Sequence, residues 1–83
     1  MGDRIERARL YARAHTRVIH ETGDHARARR AGKIAKAEAL AEGASNLDAR
    51  EAYSRAWKAT LRQTANLPLA RAAGRQAAGR GKA

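Results

Sequence analysis

The sequence predicts an all-α protein: a small three-helix bundle of antiparallel helices joined by short turns, with a flexible basic C-terminal tail. Apolar residues recur at helical spacing, alanine supplies 22 of the 83 residues, and glycine or asparagine stands where each helical pattern ends. The predicted helices cover about residues 4–22, 25–42 and 47–65. Residues 1–69 are predicted to form one domain, and residues 70–83 are predicted to form the tail.

The third predicted helix has the clearest amphipathic pattern and is expected to organise the bundle. Apolar and charged side chains fall on opposite halves of its helical wheel. This helix also holds the only tryptophan of a chain that has no phenylalanine. Its apolar side is therefore the predicted scaffold core, formed by Leu47, Tyr53, Trp57 and Leu61.

The first two helices are delimited by capping residues. Asp3 and Glu6 have the spacing of a capping box, and Gly23 is placed to end the first helix. Asp24 follows as a cap for the second helix, which we expect to fold back on the first. Gly32 lies inside this second helix and weakens it by about 1 kcal/mol relative to alanine.

The end of the chain is predicted to be a basic tail. Asn66 and Pro68 indicate that the third helix does not continue past them. Residues 70–83 contain only Ala, Gly, Arg, Lys and one Gln, so they offer no large apolar side chain to a core. Spaced arginines on such a segment suit an arm that follows phosphates.

The composition allows only a small core. Val, Ile and Leu together number ten, so we expect the fold to be marginal alone and to be completed by a partner or by self-association. The chain lacks cysteine and any apolar run long enough for a membrane span. It also has no apolar secretory signal, and cytoplasmic residence is the expectation.

The net charge of +10 is spread over all three predicted helices and the tail. Such a charge favours phosphate-rich or acidic partners. Fourteen of the eighteen basic residues are arginine, which suits bidentate contacts to phosphate, although a GC-rich genome explains the same bias equally well.

Basic residues line one side of each predicted helix and recur in the tail. A single row of this kind is commonly a solvated surface, but three rows and a tail without acids favour nucleic-acid contact through phosphates. The candidate nucleic-acid-binding residues are Arg9, Arg13, Arg17, Arg29, Lys33, Lys36, Arg55, Lys58, Arg62, Arg71, Arg75, Arg80 and Lys82.

The predicted function is non-enzymatic binding to RNA or DNA inside a larger nucleoprotein assembly. No acid or histidine is paired on an apolar concavity and no phosphate-binding loop is recognisable, so we expect neither catalysis nor a cofactor. His15, His20 and His25 point in different directions around the helical wheel, so no metal site is expected.

Three alternatives remain beside this prediction. The main one is a helical adaptor, inhibitor or structural subunit that docks on an acidic protein surface, a group that includes phage-encoded proteins. A helix that lies on a membrane surface is a weaker alternative, because the apolar faces consist largely of alanine. A DNA-reading helix-turn-helix with its turn at Gly43 is disfavoured, because Glu38 and Glu42 occupy positions where that motif needs apolar residues.

Overall fold

The computed structural model describes residues 2–80, and this part of the chain is helical with four helices and no strand. The all-α prediction is confirmed, but the predicted number of helices is wrong by one. The first three helices begin and end within two residues of the predicted bounds. The helices are α1 (Gly2–Thr22), α2 (His25–Ala41), α3 (Asn46–Thr64) and α4 (Leu67–Arg80).

The additional helix α4 occupies most of the segment predicted to be a flexible tail. Asn66 caps it, because the Asn66 side-chain oxygen accepts a hydrogen bond of 3.1 Å from the Leu69 N–H. Pro68 lies in the first turn, where a missing N–H costs no helical hydrogen bond. Pro68 therefore separates two helices and does not end the ordered chain. Residues 81–83 of the predicted tail lie outside the described residues.

The four helices form two compact units, and one of them consists of α2 and α3. The two helices run antiparallel along their length. Near one end the Asp24 N–H donates a hydrogen bond of 2.8 Å to Thr64 Oγ1, and further along Gly32 lies against the ring of Tyr53. This pairing is a helical hairpin and not the steeply crossed arrangement of a helix-turn-helix.

The other unit consists of α1 and α4, which are also antiparallel. We call this pair the first unit and the α2–α3 pair the second unit. The Asn66 N–H donates a hydrogen bond of 2.9 Å to Thr22 Oγ1, so the end of α1 adjoins the start of α4. Further along, Gly74 lies against the ring of Tyr11. Glycine at these contacts lets a helix backbone approach an aromatic ring closely, which explains why Gly32 is present inside α2 despite its low helix propensity.

The corresponding contacts in the two units are made by residues 42 positions apart, which reveals an internal repeat. Tyr11 corresponds to Tyr53, Thr22 to Thr64 and Gly32 to Gly74, and the helix caps Asp24 and Asn66 have the same separation. Each of these pairs has the same structural role in its own unit. The first repeat supplies α1 and α2, and the second supplies α3 and α4. Each unit thus combines one helix from each repeat.

The buried core of the described chain is small and consists mainly of alanine. Leu61 is the largest fully buried side chain, at 1% exposure, which agrees with its predicted place in the core. Tyr53 and Trp57 are half-buried. The prediction that Leu47 lies in the core is wrong, because this side chain is 65% exposed. Leu47 lies in the first turn of α3, to one side of the α2 contact. The fully buried alanines are Ala28, Ala49 and Ala70.

Gly32→Ala tests the close approach of α2 to Tyr53. A Cβ atom on residue 32 would lie 2.8 Å from Cδ2 of Tyr53. Overpacking costs more than the roughly 1 kcal/mol that alanine gains in helix propensity, so we expect a loss of about 1–2 kcal/mol in the free energy of unfolding. Urea denaturation followed by circular dichroism measures this change. Gly79→Ala is the control, because no heavy atom lies within 4 Å of its Cβ, and it should stabilise the protein slightly. Equal stabilisation by both substitutions would contradict the prediction.

The repeat predicts that its two threonines contribute similarly to stability. Thr64→Val and Thr22→Val each remove the acceptor of a backbone N–H hydrogen bond. Each should lower the free energy of unfolding by about 0.5–1.5 kcal/mol, which is measured as a lower melting temperature. Thr16→Val, on the exposed surface of α1, is the control and should have little effect. A loss of stability in only one of the two variants would show that the two contacts are not equivalent.

Candidate nucleic-acid interface

A row of exposed cations on α2 forms the first part of the candidate interface. Arg29, Lys33 and Lys36 have i, i+4, i+7 spacing, so they lie along one side of the helix. The contact between Gly32 and Tyr53 fixes which side of α2 faces α3. Relative to the position of Gly32 on the helical wheel, the three side chains lie along one edge of the α2–α3 interface, which we call the seam. They remain exposed there.

Helix α3 adds Arg50 to the same edge. Lys36 and Arg50 line a shared surface depression together with Asn46 and Leu47, so cations from two helices adjoin there. Arg50 was absent from the residues predicted as binding, because its position on the wheel of α3 gives no sign that it meets the α2 row. We call this four-residue surface the basic face; its members are Arg29, Lys33, Lys36 and Arg50.

The carboxylates of α2 and α3 project away from the α2 row of the basic face. The helical period, referred to the Gly32–Tyr53 contact, places Glu38 and Asp48 on the opposite side of the seam. Glu51 lies on the outward surface of α3. Among the described carboxylates of the second unit, none lies beside the three cations of α2, whereas Glu51 lines a surface patch with Arg50. The positive potentials of the three α2 cations therefore reinforce one another, and Glu51 reduces the potential only at the Arg50 end of the basic face.

Capping interactions stabilise the ends of the two helices that carry the basic face. The Asp24 side chain accepts a hydrogen bond of 3.0 Å from the Arg27 N–H at the start of α2. Ser45 Oγ accepts one of 3.1 Å from the Asp48 N–H at the start of α3. Between them Gly43 adopts a φ of 91°, which suits glycine at the end of a helix. The cations thus project from capped, regular helices.

The predicted row on α3 lies outside the basic face. Arg55, Lys58 and Arg62 are exposed on the outward surface of this helix. Arg55 and Lys58 share a surface patch with Glu51 and Arg50. A carboxylate in the patch reduces the net attraction for a polyanion, so this row is a weaker candidate than the α2 row, and Arg50 is the member of the basic face that this carboxylate affects.

The predicted row on α1 also has acidic neighbours. Arg9, Arg13 and Arg17 are exposed as expected. Arg13 and Arg17 line a groove of the first unit together with Glu6 and Leu10 of α1 and Gln76 of α4. The groove therefore combines both signs of charge with an apolar side chain, which is not the pattern of a phosphate-binding surface.

Three of the four basic residues predicted for a flexible arm, Arg71, Arg75 and Arg80, belong instead to helix α4. Arg71 and Arg75 are exposed and, through the 42-residue repeat, correspond to Arg29 and Lys33 of the basic face. The first unit has alanine where the second has Lys36 and Arg50, so the corresponding surface has two cations in place of four. The side chain of Arg80 is outside the described part of the structure, as is Lys82.

The three aromatic side chains take part in contacts within the units. The rings of Tyr11 and Tyr53 face glycines of the paired helices. Trp57 meets His25 edge-on, with 5.9 Å between ring centroids, and His15 stacks on Tyr11 at 5.6 Å. These arrangements use the aromatic rings for helix pairing, which agrees with their expected role in the scaffold.

Comparisons with protein-family models, curated proteins and solved structures give no match for this chain. None of the helices within residues 2–80 is long and apolar enough to cross a membrane. In the same part of the chain, no three histidine or acidic side chains are grouped so that they could hold a metal ion. The geometry and charge of the described surface are therefore the basis for assigning a function.

Proposed function

We propose that this protein binds the phosphate backbone of RNA or DNA without catalysing a reaction, as a cytoplasmic component of a larger nucleoprotein assembly. The observation that supports this proposal is the segregation of charge on α2, where Arg29, Lys33 and Lys36 form an exposed row and Glu38 projects to the opposite side. Arginine and lysine on regular helices are the usual means by which proteins neutralise phosphates.

The arrangement of the basic face favours contact with the backbone over reading of bases. Arg29, Lys33 and Lys36 extend over about 10 Å of helix at 1.5 Å per residue, a distance that covers several phosphates of a nucleic-acid strand. The tyrosine rings are engaged in helix pairing, so the described part of the chain gives no support for stacking on bases. Binding of this kind is expected to depend strongly on salt and weakly on sequence.

The proposal is tested by removing the charges of the α2 row. The triple variant Arg29→Gln, Lys33→Gln, Lys36→Gln should reduce the slope of log K against log salt by about 2.7 for duplex DNA, because each lost phosphate contact accounts for about 0.9. Fluorescence anisotropy with labelled duplex DNA and duplex RNA over a series of salt concentrations measures the slope. Circular dichroism should show unchanged helicity.

A variant with the same change in net charge provides the control. Arg9→Gln, Arg13→Gln, Arg17→Gln removes three cations from α1, where Glu6 shares the groove with two of them. We expect this variant to reduce the salt slope by clearly less than the α2 variant does. Equal effects would mean that only net charge matters, and the basic face would then not be the binding surface. An unmodified protein that binds neither nucleic acid at low salt would contradict the proposed function and favour an acidic protein partner.

Substitution of Arg50 tests the contribution of α3 to the basic face, which follows from the pairing of α2 with α3. Arg50→Gln should reduce the salt slope for duplex DNA by about 0.9, as expected for one lost phosphate contact. Arg62→Gln, on the outward surface of α3, changes the charge equally and should have a smaller effect. If the two single variants bind equally well at every salt concentration, Arg50 is not part of the interface.

A further inference from the structure

The contacts that hold each unit together connect the two repeats across a single turn. Each of the two helix pairs joins a helix that precedes residues 42–45 to a helix that follows them. The hydrogen bonds and the glycine contacts described above have the same property. These contacts are Asp24 with Thr64, Thr22 with Asn66, Gly32 with Tyr53, and Gly74 with Tyr11.

We propose that two copies of this chain form a dimer by exchanging repeats, with residues 42–45 as the hinge. When this turn opens, α1 and α2 of one copy can pair with α4 and α3 of the other. Every contact between repeats is then formed twice with unchanged partners. Domain exchange of this kind is a low-cost route to a dimer, because the monomer already contains the complete interface.

Opening of the hinge removes local interactions that the closed monomer makes there. The Gly43 N–H donates a hydrogen bond of 3.0 Å to the Leu40 carbonyl oxygen, which ends α2. Gly43 takes a φ of 91°, and no heavy atom would lie within 4 Å of an added Cβ. The requirement at this position is therefore for backbone conformation alone, so a substitution here changes the balance between closed and open turns without disturbing side-chain packing.

Exposed leucines on both sides of the hinge support a second copy as the partner. Leu40 is 43% exposed and Leu47 is 65% exposed in the monomer. In the exchanged dimer, the antiparallel pairing of α2 with α3 of the other copy brings the two hinge segments side by side. Leu40 and Leu47 of both copies then cluster where the two hinge segments adjoin. There they can bury apolar surface that is exposed to water in the monomer.

The double variant Gly43→Ala, Ser45→Ala tests the hinge. Alanine at position 43 is strained at a positive φ, and loss of the Ser45 hydroxyl removes the cap of α3. Both changes favour an opened, helical connection over the closed turn. Formation of one dimer opens two turns, one in each copy. We expect the dimerisation constant to rise on the order of 1,000-fold or more over the unmodified protein. Size-exclusion chromatography with light scattering measures it after refolding over a range of protein concentrations.

Three observations would decide the proposal. The unmodified protein should yield some dimer when it is refolded at high concentration, and that dimer should persist on dilution, since separation of the copies requires their helix pairs to unfold. Gly79→Ala, which changes a helical glycine away from the hinge, should leave the dimerisation constant unchanged. If the hinge variant stays monomeric at all concentrations, or if its dimer dissociates immediately on dilution, repeat exchange is excluded. The measurement involves no nucleic acid, so its outcome is separate from that of the proposed function.

Discussion

The fold depends on the close approach of helices that have few large apolar side chains. Alanine and glycine supply most of the contact surface on α2 and α4, and a tyrosine ring from the paired helix fills the space in front of each central glycine. A Cβ atom at either glycine would overlap the ring, so the distance between the helices is set at these two points. Because dispersion attraction falls off rapidly with separation, a chain rich in alanine gains useful contact energy only at such short distances.

Comparison of the two repeats shows which residues the fold requires and which residues differ between the two units. The tyrosine, the threonine, the capping residue and the glycine recur at an interval of 42 residues because each unit needs the same helix contacts. The surface charges do not recur fully. Lys36 and Arg50 have alanine counterparts, so the basic face is complete only in the second unit. The scaffold does not require this difference, since both units pair their helices through the same contacts.

Helical periodicity and capping residues were sufficient to predict α1, α2 and α3, but not α4. The sequence from residue 70 onward has no large apolar side chain, which is typical of a disordered tail, yet its small residues are what allow α4 to approach Tyr11. The same limitation applies to the site. The row on α2 was predicted from its spacing, whereas the position of Arg50 beside Lys36 depends on how α3 pairs with α2. The exposure of Leu47 also follows from that pairing.

The order of contacts along the chain also explains how so small a core can hold distant segments together. Pairing of α2 with α3 closes a connection of only four residues, so its entropic cost is low. The Asp24 N–H and Thr64 Oγ1 then hold the ends of this unit together, and α1 and α4 continue from those ends. Thr22 and Asn66 are 44 positions apart in sequence, but they need to find each other only across the two ends of a formed hairpin. The second unit therefore carries the basic face and also reduces the entropic cost of forming the first unit.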